Sequence, residues 1–107
     1  MKKGYKAEWE VKKFLYRKYS PHSVFKIAIG GAVDFLVLEK GGKIKKIVEV
    51  KKTNKKRWYP TRREKKQYQT LMKIQRIHKI PVEYWVKIKG EWHTFSLEEV
   101  KKFIQVS

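Results

Sequence analysis

The sequence contains no cysteine, which excludes disulfide scaffolds, thiolate zinc sites and thiol nucleophiles. Acidic residues are scarce as well, since 10 Asp or Glu face 28 Lys or Arg and the formal net charge is +18. The longest apolar run, Val33 to Leu38, is broken by Asp34 and is far shorter than the roughly 20 residues that a membrane-spanning helix needs. The N-terminal segment shows no apolar signal region. These absences predict a cytoplasmic protein with no membrane partner.

The length of 107 residues predicts a single domain over residues 1–107. Hydrophobic residues make up 41% of the chain and aromatic residues 14%, which is enough for a core and excludes a disordered basic tail. A folded domain with so large a positive charge favours a polyanionic partner, above all nucleic acid. Ribosomal proteins, membrane-surface proteins and hyperthermophile proteins share this composition and remain as alternatives.

The basic residues concentrate between Lys51 and Lys66, where nine of them accompany a single acid, Glu64. Trp58 and Tyr59 lie in the middle of this basic segment. Cationic side chains with interleaved aromatics suit phosphate contacts and base stacking. The alternative is a solvated loop whose two aromatic residues pack on the core or on a partner subunit.

Hydrophobic periodicity and capping signals predict eight elements in the order αβββαββα. A first helix from about Lys3 to Tyr19 carries Ala7, Val11, Phe14, Leu15 and Lys18 on one stripe. Capping boxes at Thr61–Glu64 and Ser96–Glu99 open the second and third helices, and Ile80-Pro81 closes the second. The predicted strands are Val24–Ile29, Ala32–Glu39, Ile44 to about Lys51, Val82–Ile88 and Glu91–Phe95. This order indicates an α/β domain with a mixed five-stranded sheet flanked by helices.

The Gly41-Gly42 turn sets the register of the second and third strands. If it is a two-residue hairpin loop, Lys40 pairs with Lys43, Leu38 with Lys45, and Asp34 with Glu49. Because side chains alternate along a strand, Lys51 then projects from the same face as Glu49. A loop one residue longer would move Asp34 opposite Val48 or Val50 and weaken the prediction.

Two carboxylates directly across an antiparallel pair repel each other unless a cation lies between them. Asp34, Glu49 and the backbone carbonyl of Val50 are oxygen ligands of the kind that Mg²⁺ binds. With Lys51 nearby to orient water or phosphate, the group would support metal-assisted phosphodiester hydrolysis. The alternative is that Glu49 and Lys51 are exposed strand residues that pair with neighbours of opposite charge.

Two acidic residues of the first helix differ in their predicted positions. Glu8 lies at the edge of the apolar stripe, where it could reach inward to a metal ion or its water. It could equally be an ordinary first-turn acid favoured by the helix dipole. Glu10 is expected to be solvated near Lys6 and Lys13. Trp9, Trp85 and Trp92 are expected in the core or on a dimer surface.

The segments Lys3–Glu10, Val33-Asp34 and Val48–Lys51 resemble the archaeal Holliday junction resolvases of the PD-(D/E)XK nuclease superfamily. The resemblance covers most of the chain, although Val33 stands where the superfamily motif has proline. It implies a restriction-endonuclease-like fold and a homodimeric endonuclease that cuts four-way DNA junctions symmetrically. The implied cofactor is Mg²⁺, for which Mn²⁺ can substitute.

Applied residue by residue, the resemblance implies that Asp34 and Glu49 bind the metal, with Glu8 near it through water and Lys51 as the catalytic lysine. It implies DNA contacts by Lys2, Lys3, Lys52, Lys55, Lys56, Arg57, Arg62 and Arg63. The alternatives are a related nuclease that acts on other branched DNA and a non-catalytic basic nucleic-acid-binding protein.

Overall fold

Three helices and five strands lie within the described residues, in the predicted order αβββαββα. The computed structural model describes residues 3–29 and 32–106, with side chains for residues 6–27 and 35–105, so Gly30 and Gly31 lie outside it. The helices are α1 (Lys3–Tyr19), α2 (Arg62–His78) and α3 (Leu97–Val106). The strands are β1 (Val24–Ile29), β2 (Ala32–Leu38), β3 (Ile44–Thr53), β4 (Val82–Ile88) and β5 (Glu91–Ser96). The predicted bounds differ by one or two residues at the ends of β2, β3 and β5.

The strands form one mixed five-stranded sheet in the order β1-β2-β3-β4-β5. Neighbouring strands are antiparallel except for β3 and β4, which are parallel and are connected through α2. A parallel pair needs such a crossover, because a tight turn cannot return the chain to the same end of the sheet. The chain is therefore an α/β protein, as predicted.

Alternating side chains of β3 enter two separate cores on the two faces of the sheet. Ile47 packs with residues of α2 and α3, including Leu71 and Val100, whereas Val48 packs with Val11 and other residues on the α1 side. Both faces of β3 are thus covered. This explains why residues 47–50, near the middle of the strand, are apolar except for Glu49.

The apolar stripe of α1 is narrower than predicted. Ala7, Val11 and Leu15 are buried, but Phe14 is half exposed and Lys18 is exposed. Phe14 contacts the sheet only at the helix edge, where its ring meets Trp85 edge-on at a centroid distance of 5.2 Å. The prediction that Phe14 and Lys18 share the buried stripe was wrong for these two residues.

The predicted hairpin loop between β2 and β3 was one residue too short. Glu39 receives a hydrogen bond from Gly42 and donates one to the carbonyl of Lys43, so the loop is Lys40-Gly41-Gly42. Both glycines have positive φ (96° and 91°), a conformation in which a side chain is strained. The predicted pairs Lys40–Lys43 and Leu38–Lys45 do not form, and Leu38 lies opposite Ile44 instead.

A β-bulge after this loop restores the predicted register between Asp34 and Glu49. Val37 pairs with Lys46 although Leu38 pairs with Ile44, so Lys45 is one extra residue on β3. The extra loop residue and the bulge have opposite effects on the register. Asp34 therefore lies opposite Glu49, as predicted.

Both predicted capping boxes are confirmed. Thr61 Oγ1 accepts a hydrogen bond from the Glu64 amide at 3.1 Å, and Glu64 accepts one from the Thr61 amide at 2.8 Å. Ser96 and Glu99 exchange the same two bonds at 3.2 and 3.0 Å. Thr61 is therefore the N-cap of α2, whose first helical residue is Arg62. In the described part of the chain, no helix has both the length and the apolar character needed to cross a membrane.

Glu10 is partly exposed and near enough to Lys6 for the two charges to interact, but the prediction of a solvated carboxylate was wrong because other residues bind it. Its carboxylate accepts hydrogen bonds from Lys87 Nζ at 2.8 and 3.0 Å and from Trp92 Nε1 at 2.9 Å. Lys87 and Trp92 are paired across β4 and β5, so these bonds hold α1 against the far half of the sheet. The hydrogen bond from Lys87 lowers the pKa of Glu10 below its ordinary value.

Replacing Glu10 by Gln is expected to destabilise the protein by about 1 kcal/mol at pH 7. Because the pKa of Glu10 is lowered by folding, its ionised form stabilises the native state above pH 4.5. That contribution disappears as the pH falls through the lowered pKa. Chemical denaturation at pH 7 and pH 3 measures the effect.

The exposed Glu91 supplies the matched control, Glu91→Gln. The difference between Glu10→Gln and wild type should shrink at pH 3, whereas Glu91→Gln should match wild type at both values. An equal deficit of Glu10→Gln at both pH values would contradict a contribution from the ionised carboxylate.

Candidate active site

Glu49 is a carboxylate buried at the centre of the sheet. It is 1% exposed and lies on β3 between Asp34 of β2 and Tyr84 of β4. Ile47, two residues earlier, packs in the core under α2, so strand alternation directs Glu49 and Lys51 to that same face. The alternative interpretation of Glu49 as an exposed strand residue is wrong. The side chain of Asp34 lies outside the described residues, so only its backbone register is known.

Lys51 is fixed by three oxygen-bearing side chains. Its Nζ lies 3.1 Å from Glu49 Oε1, donates a hydrogen bond to Gln67 Oε1 at 2.8 Å, and lies 3.6 Å from Glu64 Oε2. Two of these partners, Glu64 and Gln67, come from the first two turns of α2. The Thr61 capping box therefore positions the very turn that holds the lysine.

The electrostatic environment of Glu49 is unfavourable to its ionised form despite the lysine. Burial raises the pKa of Glu49 to about 7, and the Lys51 ammonium only partly opposes this. The carboxylates of Glu64 and Glu8 raise the pKa further. Glu49 Oε2 is buried and has no hydrogen-bond partner among the described residues. A buried oxygen left in this state costs free energy unless a proton or a cation binds it.

Tyr84, which pairs with Glu49 across β3 and β4, carries the second orphaned polar atom in the described part of the protein. Its hydroxyl oxygen is buried without a hydrogen-bond partner. Burial raises the pKa of Tyr84, and the negative charge of Glu49 adds to the effect. The phenol therefore stays protonated beside the carboxylate.

An open cavity of about 550 Å³ lies beside Glu49 and Lys51. It is also lined by residues from α1 and from the basic segment. Glu8 lines it, and its carboxylate lies 3.4 Å from Lys26 Nζ. Of the predicted site residues, the cavity brings together Glu8, Glu49, Val50, Lys51, Lys52, Lys55 and Arg63. Lys56, Arg57 and Arg62 do not line it. Lys2 and the side chain of Lys3 lie outside the described residues.

The two aromatic residues of the basic segment have different environments. Trp58 is 3% exposed and packs between Tyr84 and Phe103 at centroid distances of 5.6 and 5.5 Å. Trp58 is therefore a core residue, which agrees with the alternative that the aromatic residues of the basic segment pack on the core. Tyr59 is exposed at the cavity, where Lys55 Nζ lies 5.6 Å from its ring centroid. Trp58 also lines the cavity but exposes very little surface there, so Tyr59 is the residue of the pair whose ring is open to a ligand. Arg57 turns away from the cavity and lies over the Phe103 ring.

Sequence reasoning missed Glu64 and Gln67 as parts of the site. Glu64 was interpreted only as a capping residue, yet its two carboxylate oxygens serve both purposes: Oε1 binds the Thr61 amide and Oε2 faces Lys51. Gln67 is buried among apolar residues of α2. The signal available in the sequence was the position of Gln67 on the apolar stripe of α2, because a buried amide needs a hydrogen-bond partner.

The metal donors that the site offers are carboxylate and carbonyl oxygens. Oxygen donors are the kind that a hard divalent cation prefers. Among the described side chains, no group of three or more His, Cys, Asp or Glu residues is arranged to hold a metal. The side chain of Asp34 is not one of them. The observation in favour of a cation is the buried, unpartnered Glu49 Oε2 beside a second carboxylate position.

No protein-family model matches the chain, and neither a curated protein nor a solved structure shows significant similarity to it.

The metal-free protein should lose stability as the pH rises from 5 to 8 because of Glu49. A carboxylate whose pKa is raised from 4.5 to about 7 by folding binds its proton more tightly in the native state. Glu49→Gln should remove about 2 kcal/mol of this pH dependence. Chemical denaturation in EDTA at both pH values measures it.

Glu98→Gln, at an exposed position of α3, is the control and should keep the wild-type pH dependence. Identical slopes for wild type and Glu49→Gln would show that Glu49 is ionised in the native state at both pH values.

Proposed function

We propose that the protein is a Mg²⁺-dependent DNA endonuclease that resolves four-way junctions by phosphodiester hydrolysis. The observation that carries the proposal is Glu49: buried, with one oxygen unpartnered, beside an anchored Lys51 and in register with Asp34. A merely structural carboxylate would gain from full hydrogen bonding, and the fold does not provide it. Buried polar groups are normally hydrogen-bonded, and functional sites are where exceptions are expected.

The donors proposed for the metal are the carboxylates of Asp34 and Glu49 and the Val50 carbonyl, with Glu8 acting through water. When bound, Mg²⁺ would acidify a water molecule and stabilise negative charge on the phosphate. Mn²⁺ has the same preference for oxygen ligands and would substitute. Binding of a cation would favour the ionised form of Glu49, whose pKa burial raises.

Lys51 is proposed to orient the scissile phosphate or the attacking water. Its ammonium group is already held by Glu49, Glu64 and Gln67, so little rotamer freedom remains to be lost when substrate arrives. Glu64 and Gln67 would keep the Lys51 ammonium group at the cavity wall rather than on the DNA surface. This arrangement supports a catalytic role for Lys51 over simple electrostatic attraction of DNA.

The rim of the cavity is suited to phosphate backbone. Lys52, Lys55 and Arg63 line it together with Tyr59, and the net charge of +18 supplies long-range attraction. Further proposed contacts are made by Lys56, Arg57 and Arg62 of the same segment and by Lys2 and Lys3. Trp58 is excluded from base stacking because it is buried in the core.

A restriction-endonuclease-like fold and a C2 homodimer belong to the same proposal. The element order and the mixed sheet with one parallel pair support the former. A four-way junction presents two related scissile bonds, and a two-fold dimer would present one active site to each. If the enzyme is of the archaeal type that the sequence resembles, it would act in the cytoplasm.

Asp34→Asn and Glu49→Gln should each reduce Mg²⁺-dependent cleavage of a four-way junction at least about 100-fold, because each removes a ligand that stabilises charge in the transition state. Junction binding in EDTA should persist or tighten, since one negative charge near the phosphates is lost. Gel assays of cleavage and of binding, at one stated salt concentration, measure the two effects.

Glu91→Gln is the charge-matched control and should cleave like wild type. Three-way and linear duplexes, tested beside the four-way junction, separate a resolvase from a nuclease for other branched DNA. Binding without cleavage by the wild-type protein would identify a non-catalytic nucleic-acid-binding protein, and cleavage surviving both substitutions would contradict the proposed site.

A further inference from the structure

A second concave surface lies along α1, beyond the cavity that Glu8 lines. It is a groove of about 490 Å³, a volume within the usual range for small-ligand sites. Trp9 and Phe14 form part of its wall, and each is 49% exposed. Trp85 and Trp92 from β4 and β5 also line it. We refer to this surface as the α1 groove.

The aromatic rings of the α1 groove are held in fixed orientations. Lys13 Nζ lies 4.2 Å from the centroid of the Trp9 ring and covers one of its faces. Phe14 meets the Trp85 ring edge-on, with an interplanar angle of 61°. Trp92 is oriented by its hydrogen bond to Glu10. Large rings that are exposed and already ordered lose little conformational entropy when a planar ligand stacks on them.

The charge around the α1 groove selects an anion. Lys13 and Arg17 line it together with the aromatic residues, one helical turn apart along α1. Its one acidic lining residue, Glu10, is bound by Lys87 and by Trp92. A ligand that combines flat aromatic faces with regularly spaced negative charges therefore matches the groove.

We propose that the α1 groove binds unpaired nucleotides of a DNA strand, with bases stacked on Trp9 and Phe14 and phosphates at Lys13 and Arg17. Base–aromatic stacking beside cationic side chains is the general mode of single-strand recognition. The proposal rests on the proposed function only in naming DNA as the nucleic acid. Binding itself needs neither the metal nor cleavage.

The position of the groove gives this binding a place on a branched substrate. Trp9 directly follows Glu8, which lines the cavity of Glu49 and Lys51, so α1 separates the two concave surfaces. A strand unpaired at a branch point could leave the duplex at the cavity and follow α1. A second copy of this chain fits the groove less well, because a two-fold interface through the groove would bring the same cations, Lys13 and Arg17, of the two copies together.

Trp9→Ala tests the proposal on the full chain in EDTA, with fluorescently labelled oligothymidylate and a duplex of equal length as probes. Fluorescence anisotropy should show about a tenfold loss of affinity for oligothymidylate and less than a twofold loss for duplex. Lys13→Gln, which keeps the ring, should weaken oligothymidylate binding about threefold and reduce its salt dependence.

Phe25→Ala and Lys73→Gln are the matched controls, because both residues are exposed and lie outside the α1 groove. Both should bind oligothymidylate like wild type. Equal losses for the two probes, or no loss in Trp9→Ala, would overturn the proposal. A change in the sedimentation coefficient of Trp9→Ala without a change in oligothymidylate affinity would overturn it too, and would assign the groove to a second copy of the chain. Survival of cleavage in the Asp34 and Glu49 variants would contradict the proposed function but leave these binding results unaffected, so the two proposals fail separately.

Discussion

The burial of Glu49 beside Lys51 is the constraint on which the site depends. A carboxylate that is 1% exposed at the middle of a five-stranded sheet is unfavourable unless a charge compensates it, and Lys51 at 3.1 Å compensates one of its oxygens. The second oxygen stays unpartnered among the described residues. The hairpin register adds Asp34 directly opposite. Stability alone would favour an apolar residue at this position, and the cation proposed here would offset that cost.

The scarcity of acidic residues makes the use of each one informative. Several of the 10 carboxylates have defined structural tasks: Glu10 ties α1 to Lys87, Glu83 binds Lys46 at 2.9 Å, and Glu99 caps α3. Glu64 caps α2 and at the same time faces Lys51. With 28 basic residues on the same chain, negative charge is concentrated at few points and the remaining surface attracts polyanions. A cavity that holds Glu8, Glu49 and Glu64 among basic residues suits the proposed enzyme, which would bind phosphate and a cation together.

The order of elements could be predicted because the local signals agreed with each other. The capping boxes at Thr61 and Ser96, strand alternation and the glycine turns each specify structure over a few residues, and tertiary packing did not override them. The Asp34–Glu49 register was predicted correctly, although the loop behind it was not. The bulge at Lys45 cancelled the extra loop residue, and no local signal in the sequence distinguishes that combination from a two-residue turn. Glu10 and Gln67 were misjudged or missed because their partners, Lys87 and Lys51, are distant in sequence. Helical periodicity gives the direction of a side chain but not what lies opposite it.

Asp34 and Glu49 together are proposed to bind one divalent cation. Anomalous diffraction from crystals soaked in Mn²⁺ tests it most directly, because the ion is located without reference to activity. We expect a single strong peak about 2.1 Å from carboxylate oxygens of both residues, within the cavity that Lys51 lines. An absent peak at saturating Mn²⁺, or a peak that only one of the two carboxylates approaches, would contradict it.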